Sequence, residues 1–173
     1  MNSEFSYRMP TPQLKRSFPP VVNRETRLLL LGSLPGEESL ARQRYYANPR
    51  NQFWRLAGEM VEADRVALDY EQRLDRLLAA GVGLWDVVAS ATRTGSLDGN
   101  IRGHSANPLT ELGAKLPRLR AIGFNGGTSA RIGMKELGGD VAFALVPLPS
   151  SSPAFTLPYE RKREQWMKLR AFL

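Results

Sequence analysis

Short apolar runs alternate with amphipathic stretches along most of the chain. Four runs have the length and composition of buried strands: residues 26–32 (TRLLLLG), 82–88 (VGLWDVV), 119–124 (LRAIGF) and 141–147 (VAFALVP). Apolar residues at helical spacing predict helices over residues 51–63, 70–81 and 158–173, and a turn, a helix and a glycine stop after residue 124. Gly81 is predicted as the C′ residue that ends its helix. This alternation predicts an α/β fold, with a parallel sheet covered by helices on both faces.

The segments that follow the four strands are the first place to look for a site, because open parallel sheets bind ligands beyond the carboxyl ends of their strands. These segments are residues 32–39 (GSLPGEES), 86–101 (DVVASATRTGSLDGNI), 125–130 (NGGTSA) and 147–154 (PLPSSSPA). GSLPG lacks the spacing and the lysine of a phosphate-binding loop, so a simple turn into a helix beginning near Glu37 is the alternative. The three serines can grip phosphates or merely link the last strand to the last helix.

Composition narrows the function classes. The chain has 173 residues, which suits one domain, and its net charge of +7 is typical of nucleic-acid binders but also of many ordinary domains. It contains no cysteine and a single histidine, His104, so disulfides and thiolate metal sites are excluded and no histidine-rich metal site is indicated. No apolar leader or membrane-length run is visible, which predicts a soluble intracellular protein. Residues 1–23 are expected to form an N-terminal arm before a single domain over residues 24–173.

Several motifs together resemble a known family. GSLPG, YYANPRNQFW (residues 45–54), LWDVV (84–88), FNG (124–126) and LPSSSPA (148–154) occur in that order over roughly residues 26–172. They resemble the uracil-DNA glycosylase superfamily, and most closely its hypoxanthine, or deoxyinosine, branch. The resemblance implies a three-layer α/β/α fold with a short, mainly parallel four-stranded sheet. It also implies an enzyme without metal or organic cofactor that acts on a base flipped out of duplex DNA.

The resemblance gives individual residues roles in base excision. Asn51 matches an asparagine that orients the attacking water, although asparagine is also favoured at a helix start. Tyr46 matches the aromatic residue that stacks on the extruded base. Asp86 lies where many members present an asparagine to the base edge, and as a carboxylate it would accept the N1–H of hypoxanthine; a buried Asp that caps the loop is the alternative. Ser33 and Asn125 are expected to border the base. Many members carry Asp or Asn where this chain has Leu34.

Other positions are expected to contact DNA. The resemblance implies that the serine loop pinches phosphates near the flipped nucleotide, and that Ala154 or Phe155 lies where a wedge residue enters the base stack. His104 is more typical of a surface residue, and the basic run 160–170 is either a DNA contact or a solvated helix face. Residues expected to bind DNA are Ser150, Ser151, Ser152, Arg93 and Ser96, of which the last two can instead tie their own loop together.

These features predict a monofunctional glycosylase of base excision repair, most closely one for hypoxanthine. No lysine stands in the four motif loops as an evident Schiff-base nucleophile, so the enzyme is expected to leave an abasic site without nicking the strand. The alternatives are a glycosylase for uracil or G:U mismatches, and an inactive module that binds damaged DNA. The expected partner is double-stranded DNA with a deaminated base, and no membrane contact is expected. The protein is expected to be a monomer. Its expected location is the cytoplasm, with nucleoid association if the source is a bacterium.

Overall fold

The computed structural model describes residues 13–63 and 67–173, in which strands and helices alternate. The strands are β1 (Leu14–Arg16), β2 (Leu28–Gly32), β3 (Val82–Asp86), β4 (Val88–Thr92), β5 (Arg102–Ala106), β6 (Ala121–Asn125) and β7 (Ala144–Leu148). The helices are α1 (Glu37–Arg42), α2 (Phe53–Met60), α3 (Tyr70–Ala79), α4 (Leu109–Ala114), α5 (Gly127–Leu137) and α6 (Tyr159–Met167). Two short 3₁₀ turns cover Asp98–Asn100 and Lys168–Phe172.

The central sheet has four strands in the order β3-β2-β6-β7, and every neighbouring pair is parallel. In its register Gly32 lies opposite Asp86 on one side of β2, and Asn125 lies opposite Leu148 on one side of β6. All four strands therefore end at the same edge of the sheet. The predicted short parallel sheet is confirmed, and its topology brings the four motif segments together.

Helices cover both faces of this sheet, because successive strand residues point to opposite sides. Leu28 and Leu30 of β2 pack with α2, α3 and α6, whereas Leu29 and Leu31 pack with α4 and α5. All four leucines are fully buried. The predicted three-layer α/β/α arrangement is thus confirmed, and the continuous apolar run of β2 reflects burial on two faces.

A second, three-stranded antiparallel sheet in the order β1-β4-β5 was not expected from the sequence. The residues of β5 are mostly exposed, so this strand lacks the apolar pattern that marked the central sheet. The prediction of one strand over residues 82–88 is wrong in its extent. This stretch holds β3, which ends at Asp86, and the first residue of β4, which begins at Val88. The intervening Val87 donates its backbone N–H to Gly32 O.

Most other predicted boundaries hold within a few residues. Gly81 has a φ of 82° directly after the last residues of α3, as expected for a C′ glycine. Part of the predicted arm, residues 1–12, lies outside the described residues. Its remainder pairs with the domain, through β1 and through a bridge between Val21 and Leu84. Within the described residues, no helix is long and apolar enough to cross a membrane.

Candidate active site

All four motif segments line one cavity of about 390 Å³ at the carboxyl edge of the central sheet. The segment after β2 contributes residues 32–39, and Tyr45, Tyr46, Asn48 and Asn51 follow from the turn between α1 and α2. Asp86 ends β3, Asn125 ends β6, and residues 150–154 follow β7. Residues 96–98 of the β4–β5 loop complete the wall. The cavity therefore gathers Tyr46, Asn51, Asp86, Ser33 and Asn125, which the sequence assigned to catalysis or to the base.

A hydrogen-bonded chain inside this cavity links the segments after β6 and β7 with residues 46 and 51. Ser151 Oγ donates to Asn51 Oδ1 at 2.7 Å and accepts from Asn125 Nδ2 at 2.9 Å. The same Asn125 Nδ2 reaches the hydroxyl of Tyr46 at 3.2 Å. Ser151 is fully buried and Asn125 is 7% exposed, so this chain is shielded from solvent. Shielded, fully connected polar groups hold one geometry.

Backbone donors fix the orientation of both amides in this chain. Phe53 N lies 2.9 Å from Asn51 Oδ1, and Ser151 N lies 2.8 Å from Asn125 Oδ1. Because a backbone N–H can only donate, each of those side-chain atoms must be oxygen rather than nitrogen. Asn51 Oδ1 accepts two hydrogen bonds, and its Nδ2 has no partner among residues 13–63 and 67–173, so it can donate to a bound group. The N-cap residue of α2 is Gln52, so Asn51 does not cap the helix itself; its bond from Phe53 N supports the start of α2 from the residue before the cap.

Tyr46 is held by a stack and by an unusual backbone conformation. Its ring lies parallel to that of Phe53, with centroids 3.8 Å apart and 10° between the planes. Phe53 is fully buried, with Trp166 against it at 5.8 Å, so the core supports the Tyr46 ring from behind. Tyr46 has a φ of 53°, a left-handed conformation that is uncommon for a residue with a side chain. Such strain persists only where the surroundings enforce it, often at functional sites.

Asp86 is a buried carboxyl group with an unsatisfied oxygen. The residue is 4% exposed, and its Oδ2 is buried with no hydrogen-bond partner among the described residues. Burial, and to a smaller extent the charge of Asp98, raise its pKa to about 7, while Arg93 opposes the shift. A cap for its loop would show hydrogen bonds from that loop to the carboxyl group. Its Oδ2 accepts no such bond from the described part of the chain, which argues against a cap through that oxygen, and the role of Asp86 toward the base stays a prediction.

Gly32 allows Asp86 and Tyr46 to approach the end of β2. A Cβ atom at this position would lie 2.5 Å from Asp86 Oδ1 and 2.8 Å from the Tyr46 hydroxyl oxygen. Neither group could keep its place beside a larger residue. The first glycine of GSLPG is therefore required by close approach inside the cavity, and not only by a turn.

The β4–β5 loop is tied to the segment after β2. Arg93 is 1% exposed, and its guanidinium donates to the carbonyl oxygens of Leu34, Pro35 and Gly95. The Ser96 hydroxyl accepts the backbone N–H of Glu37 at 2.9 Å. Of the two roles that the sequence left open for Arg93 and Ser96, these contacts match the structural one.

Asp98 is a site residue that the sequence did not single out for the base pocket. Its Oδ1 accepts from the Ser33 hydroxyl at 2.6 Å, which places a second carboxyl group in the cavity wall. Burial raises the pKa of Asp98, while the Ser33 hydrogen bond and Arg93 lower it. The only signal was its position in the segment after β3, and nothing in the sequence pairs it with Ser33.

The serine loop separates into one buried and two peripheral residues. Ser151 belongs to the polar chain inside the cavity, whereas the sequence grouped it with the phosphate contacts. The hydroxyls of Ser150 and Ser152 accept backbone N–H groups two residues ahead, and both residues are partly buried at the rim. Their contact with DNA remains a prediction. Lys162 of α6 is 1% exposed and donates to Ser152 O at 3.2 Å, a support that the sequence did not indicate.

The wedge candidate Phe155, His104 and the basic run of residues 160–170 do not line the cavity. Phe155 is 45% exposed beside the rim, compatible with the predicted wedge role. His104 is exposed on β5, as expected for a surface residue. Arg163 and Arg170 of the basic run pair with Glu59 and Glu62. In the described ranges 13–63 and 67–173, no cluster of His, Asp and Glu has the arrangement of a metal site.

Comparisons with known proteins agree with this geometry. The sequence profile of the Uracil DNA glycosylase superfamily matches residues 19–172. A protein of Methanosarcina acetivorans named hypoxanthine DNA glycosylase is 37% identical over 153 residues, covering 88% of this chain and 96% of its own. A protein of the same name from Methanosarcina barkeri is 39% identical over 112 residues, covering 65% of this chain and 71% of its own.

A solved structure extends the similarity to the fold. The solution NMR structure of a candidate uracil DNA glycosylase from Methanosarcina acetivorans superposes with a TM-score of 0.79 at 35% identity. The alignment covers 91% of this chain and 97% of that one. The family profile spans the central sheet and every segment of the cavity. The chain therefore belongs to the uracil DNA glycosylase superfamily.

Proposed function

We propose that the protein is a monofunctional DNA glycosylase that removes hypoxanthine from deoxyinosine in double-stranded DNA. Family membership and the two relatives named hypoxanthine DNA glycosylase support the reaction class and the base. The observation that carries the proposal is the fixed amide of Asn51. Its oxygen accepts from Ser151 Oγ and Phe53 N, and its Nδ2, which has no partner among the described residues, is a positioned donor inside a cavity large enough for a base.

The cavity holds a flipped base between an aromatic face and a polar edge. Tyr46, supported from behind by Phe53, offers its other face for stacking. Asp86 and the Ser33–Asp98 pair line the same cavity and meet the polar edge of the base. Extrusion is required because the glycosidic bond of a stacked base is out of reach.

Hydrolysis then needs a positioned water rather than a strong base. The C1′–N9 bond breaks with both electrons remaining on the base, and the water oxygen forms the new bond to C1′. The proton lost from water balances the charge on the departing base. Asn51 Nδ2 holds the water oxygen by donating to it, and an amide does not deprotonate it. The catalytic effect of Asn51 is therefore orientation, which can supply several orders of magnitude.

Groups around the cavity bind the duplex. Ser150 and Ser152 lie beside the opening and contact phosphates, and the exposed Phe155 enters the base stack as a wedge. No lysine, arginine or histidine lines the described cavity, although the chain carries a net charge of +7. The cations that attract phosphates thus act from the outer surface. We further propose that the protein acts as a monomer on DNA, without a cofactor.

A panel of duplexes tests the function. Each carries one deoxyinosine, one deoxyuridine opposite guanine, or no lesion, and strand scission is scored with and without hot alkali. We expect release from deoxyinosine that becomes visible as scission only after alkali. Faster release of uracil would overturn the hypoxanthine assignment. Lesion binding without release would identify an inactive damage-binding module, and scission without alkali would contradict the monofunctional chemistry.

Paired variants locate the reaction. Asn51→Ala is expected to lower the single-turnover rate by about 10²-fold or more, with little change in the affinity for lesion duplex. The variant loses the hydrogen bonds that Asn51 Oδ1 accepts from Phe53 N and Ser151 Oγ, at about 1 kcal/mol each, a loss that should still let it fold. Asn100→Ala is the matched control, because Asn100 is exposed and its side chain bonds only Thr94 O. Equal rates for both variants would remove Asn51 from the reaction.

A further inference from the structure

The carboxyl group of Asp86 is buried near a second acid, Asp98, and forms no ion pair with a described residue. Asp86 is 4% exposed, and its Oδ2 has no hydrogen-bond partner among the described residues. The positive charge that acts on Asp86 is that of Arg93. The Arg93 guanidinium already donates to three backbone carbonyl oxygens. The titratable groups that face Asp86 or line its cavity are Asp98, Arg93, Tyr45, Tyr46, Glu37 and Glu38, with Lys15 behind Glu37.

These surroundings favour the neutral form of the group. A buried carboxylate without hydrogen bonds loses its hydration and gains nothing in return. The negative charge of Asp98 adds to that penalty, and together they raise the pKa of Asp86 to about 7. In the described structure, the segments after β6 and β7 bring neutral side chains such as Asn125 and Ser151 to the cavity wall, whereas the segment after β2 adds two further acids, Glu37 and Glu38.

A neutral carboxyl group offers one O–H donor and one carbonyl acceptor. Hypoxanthine presents the complementary pair on one edge, a C6=O acceptor beside an N1–H donor. We propose that Asp86 recognises the base as a neutral carboxylic acid, donating to O6 and accepting from N1–H, so that its deprotonation switches base excision off. This inference rests on the proposed function, since it names the chemical form in which one residue of that site works.

The same protonation state suits bond cleavage. When C1′–N9 breaks, both electrons stay on the purine and part of the charge reaches O6. A donated O–H stabilises that charge, whereas a carboxylate at the same place would repel it. Asp86 keeps its proton throughout, because the proton released by the attacking water balances the charge of the base. A carboxylate would still accept N1–H, but its second oxygen would face O6.

The pH profile of the single-turnover rate on deoxyinosine duplex is the test, compared between wild type and Asp86→Asn. An amide keeps one donor and one acceptor but does not titrate in this range. The wild-type rate is expected to fall about tenfold per pH unit above roughly pH 7. The Asp86→Asn profile is expected to lack that fall, and Asp86→Ala, which removes both groups, to be at least about tenfold slower than Asp86→Asn.

A second variant keeps the test decisive if Asp86→Asn does not fold. Asp98→Asn removes the negative charge beside Asp86 while its amide oxygen still accepts from Ser33 Oγ. The break in the profile should then move to lower pH, because the neighbouring charge no longer raises the pKa of Asp86. An unmoved break would assign the titration elsewhere and overturn the inference.

The outcomes separate this inference from the proposed function. Hypoxanthine release with a flat or rising wild-type profile, or a fall that persists in Asp86→Asn, overturns the neutral-acid inference and leaves the glycosylase intact. No release of hypoxanthine at any pH overturns both.

Discussion

The unpaired burial of Asp86 should cost the protein stability as pH rises, and replacing it with Asn should abolish that cost. In the folded protein Asp86 keeps its proton up to about pH 7, whereas in the unfolded chain it loses it near its ordinary value of 3.8. The folded state therefore binds more protons between these values, and the free energy of unfolding falls as pH rises through this window. From about pH 5 to pH 8 the loss is roughly two pKa units, about 2.7 kcal/mol.

Urea unfolding followed by tryptophan fluorescence at about pH 5 and pH 8 measures this effect. The Asp98 carboxyl titrates in the same direction, so the informative quantity is the difference between wild type and Asp86→Asn at each pH. That difference should grow by about 2 to 3 kcal/mol in favour of the variant at the higher pH. The Oδ2 atom of Asp86 accepts no hydrogen bond among the described residues, so an amide nitrogen in its place gives up none. If wild type and Asp86→Asn lose the same stability between these two pH values, then ionisation of Asp86 in the folded protein does not cause the loss, and the reasoning is refuted.

Other variants test the remaining contacts. Gly32→Ala should slow base release by about 10²-fold, because its Cβ would lie 2.5 Å from Asp86 Oδ1. Gly139→Ala is the control and should not slow release, because nothing lies within 4 Å of a Cβ at that position. Similar rates for the two variants would contradict the close approach at Gly32. Tyr46→Leu should weaken lesion-duplex binding by about 1 to 3 kcal/mol, with Tyr46→Phe near wild type; equal losses would argue against stacking. Lys162→Met should weaken duplex binding several-fold more than Arg161→Met, because Lys162 supports the serine loop by donating to Ser152 O, whereas its neighbour Arg161 is exposed. Equal losses of affinity would mean that both variants act only through the lost positive charge.

The sequence predicts the central sheet because two-sided burial leaves a strong pattern. The four leucines of β2 form a continuous apolar run, and that run is visible without any tertiary information. The parallel topology then brings the strand ends together, so the location of the site follows from strand order and the motif segments. By contrast, β5 is an exposed strand of mixed polar residues, and its pairing with β4 depends on contacts that no local pattern encodes.

Individual roles in the site are less visible because they depend on which way a side chain points. Ser150, Ser151 and Ser152 are identical in sequence, yet only Ser151 is fully buried between two amides. For Arg93 the sequence leaves a phosphate contact and a tie within its loop both open, and only the structure shows that it donates to the carbonyl oxygens of Leu34, Pro35 and Gly95. Asp98 gains its place only through Ser33, 65 positions earlier in the chain. Such pairings belong to the assembled loops, and a single sequence does not contain them.

The distribution of charge gives Asp86 its significance. The chain has 24 basic and 17 acidic residues, yet in the described structure the cavity is lined by Glu37, Glu38, Asp86 and Asp98 and by no basic side chain. An acidic cavity repels phosphates and favours positive charge, which suits the oxocarbenium-like sugar of glycoside cleavage. The same field opposes the negative charge that develops on the departing base. A neutral carboxyl group resolves this conflict, because it donates a hydrogen bond to that base without adding to the field. The retention of a buried, unpaired acid is then explained by its function, since its ionised form only destabilises the fold.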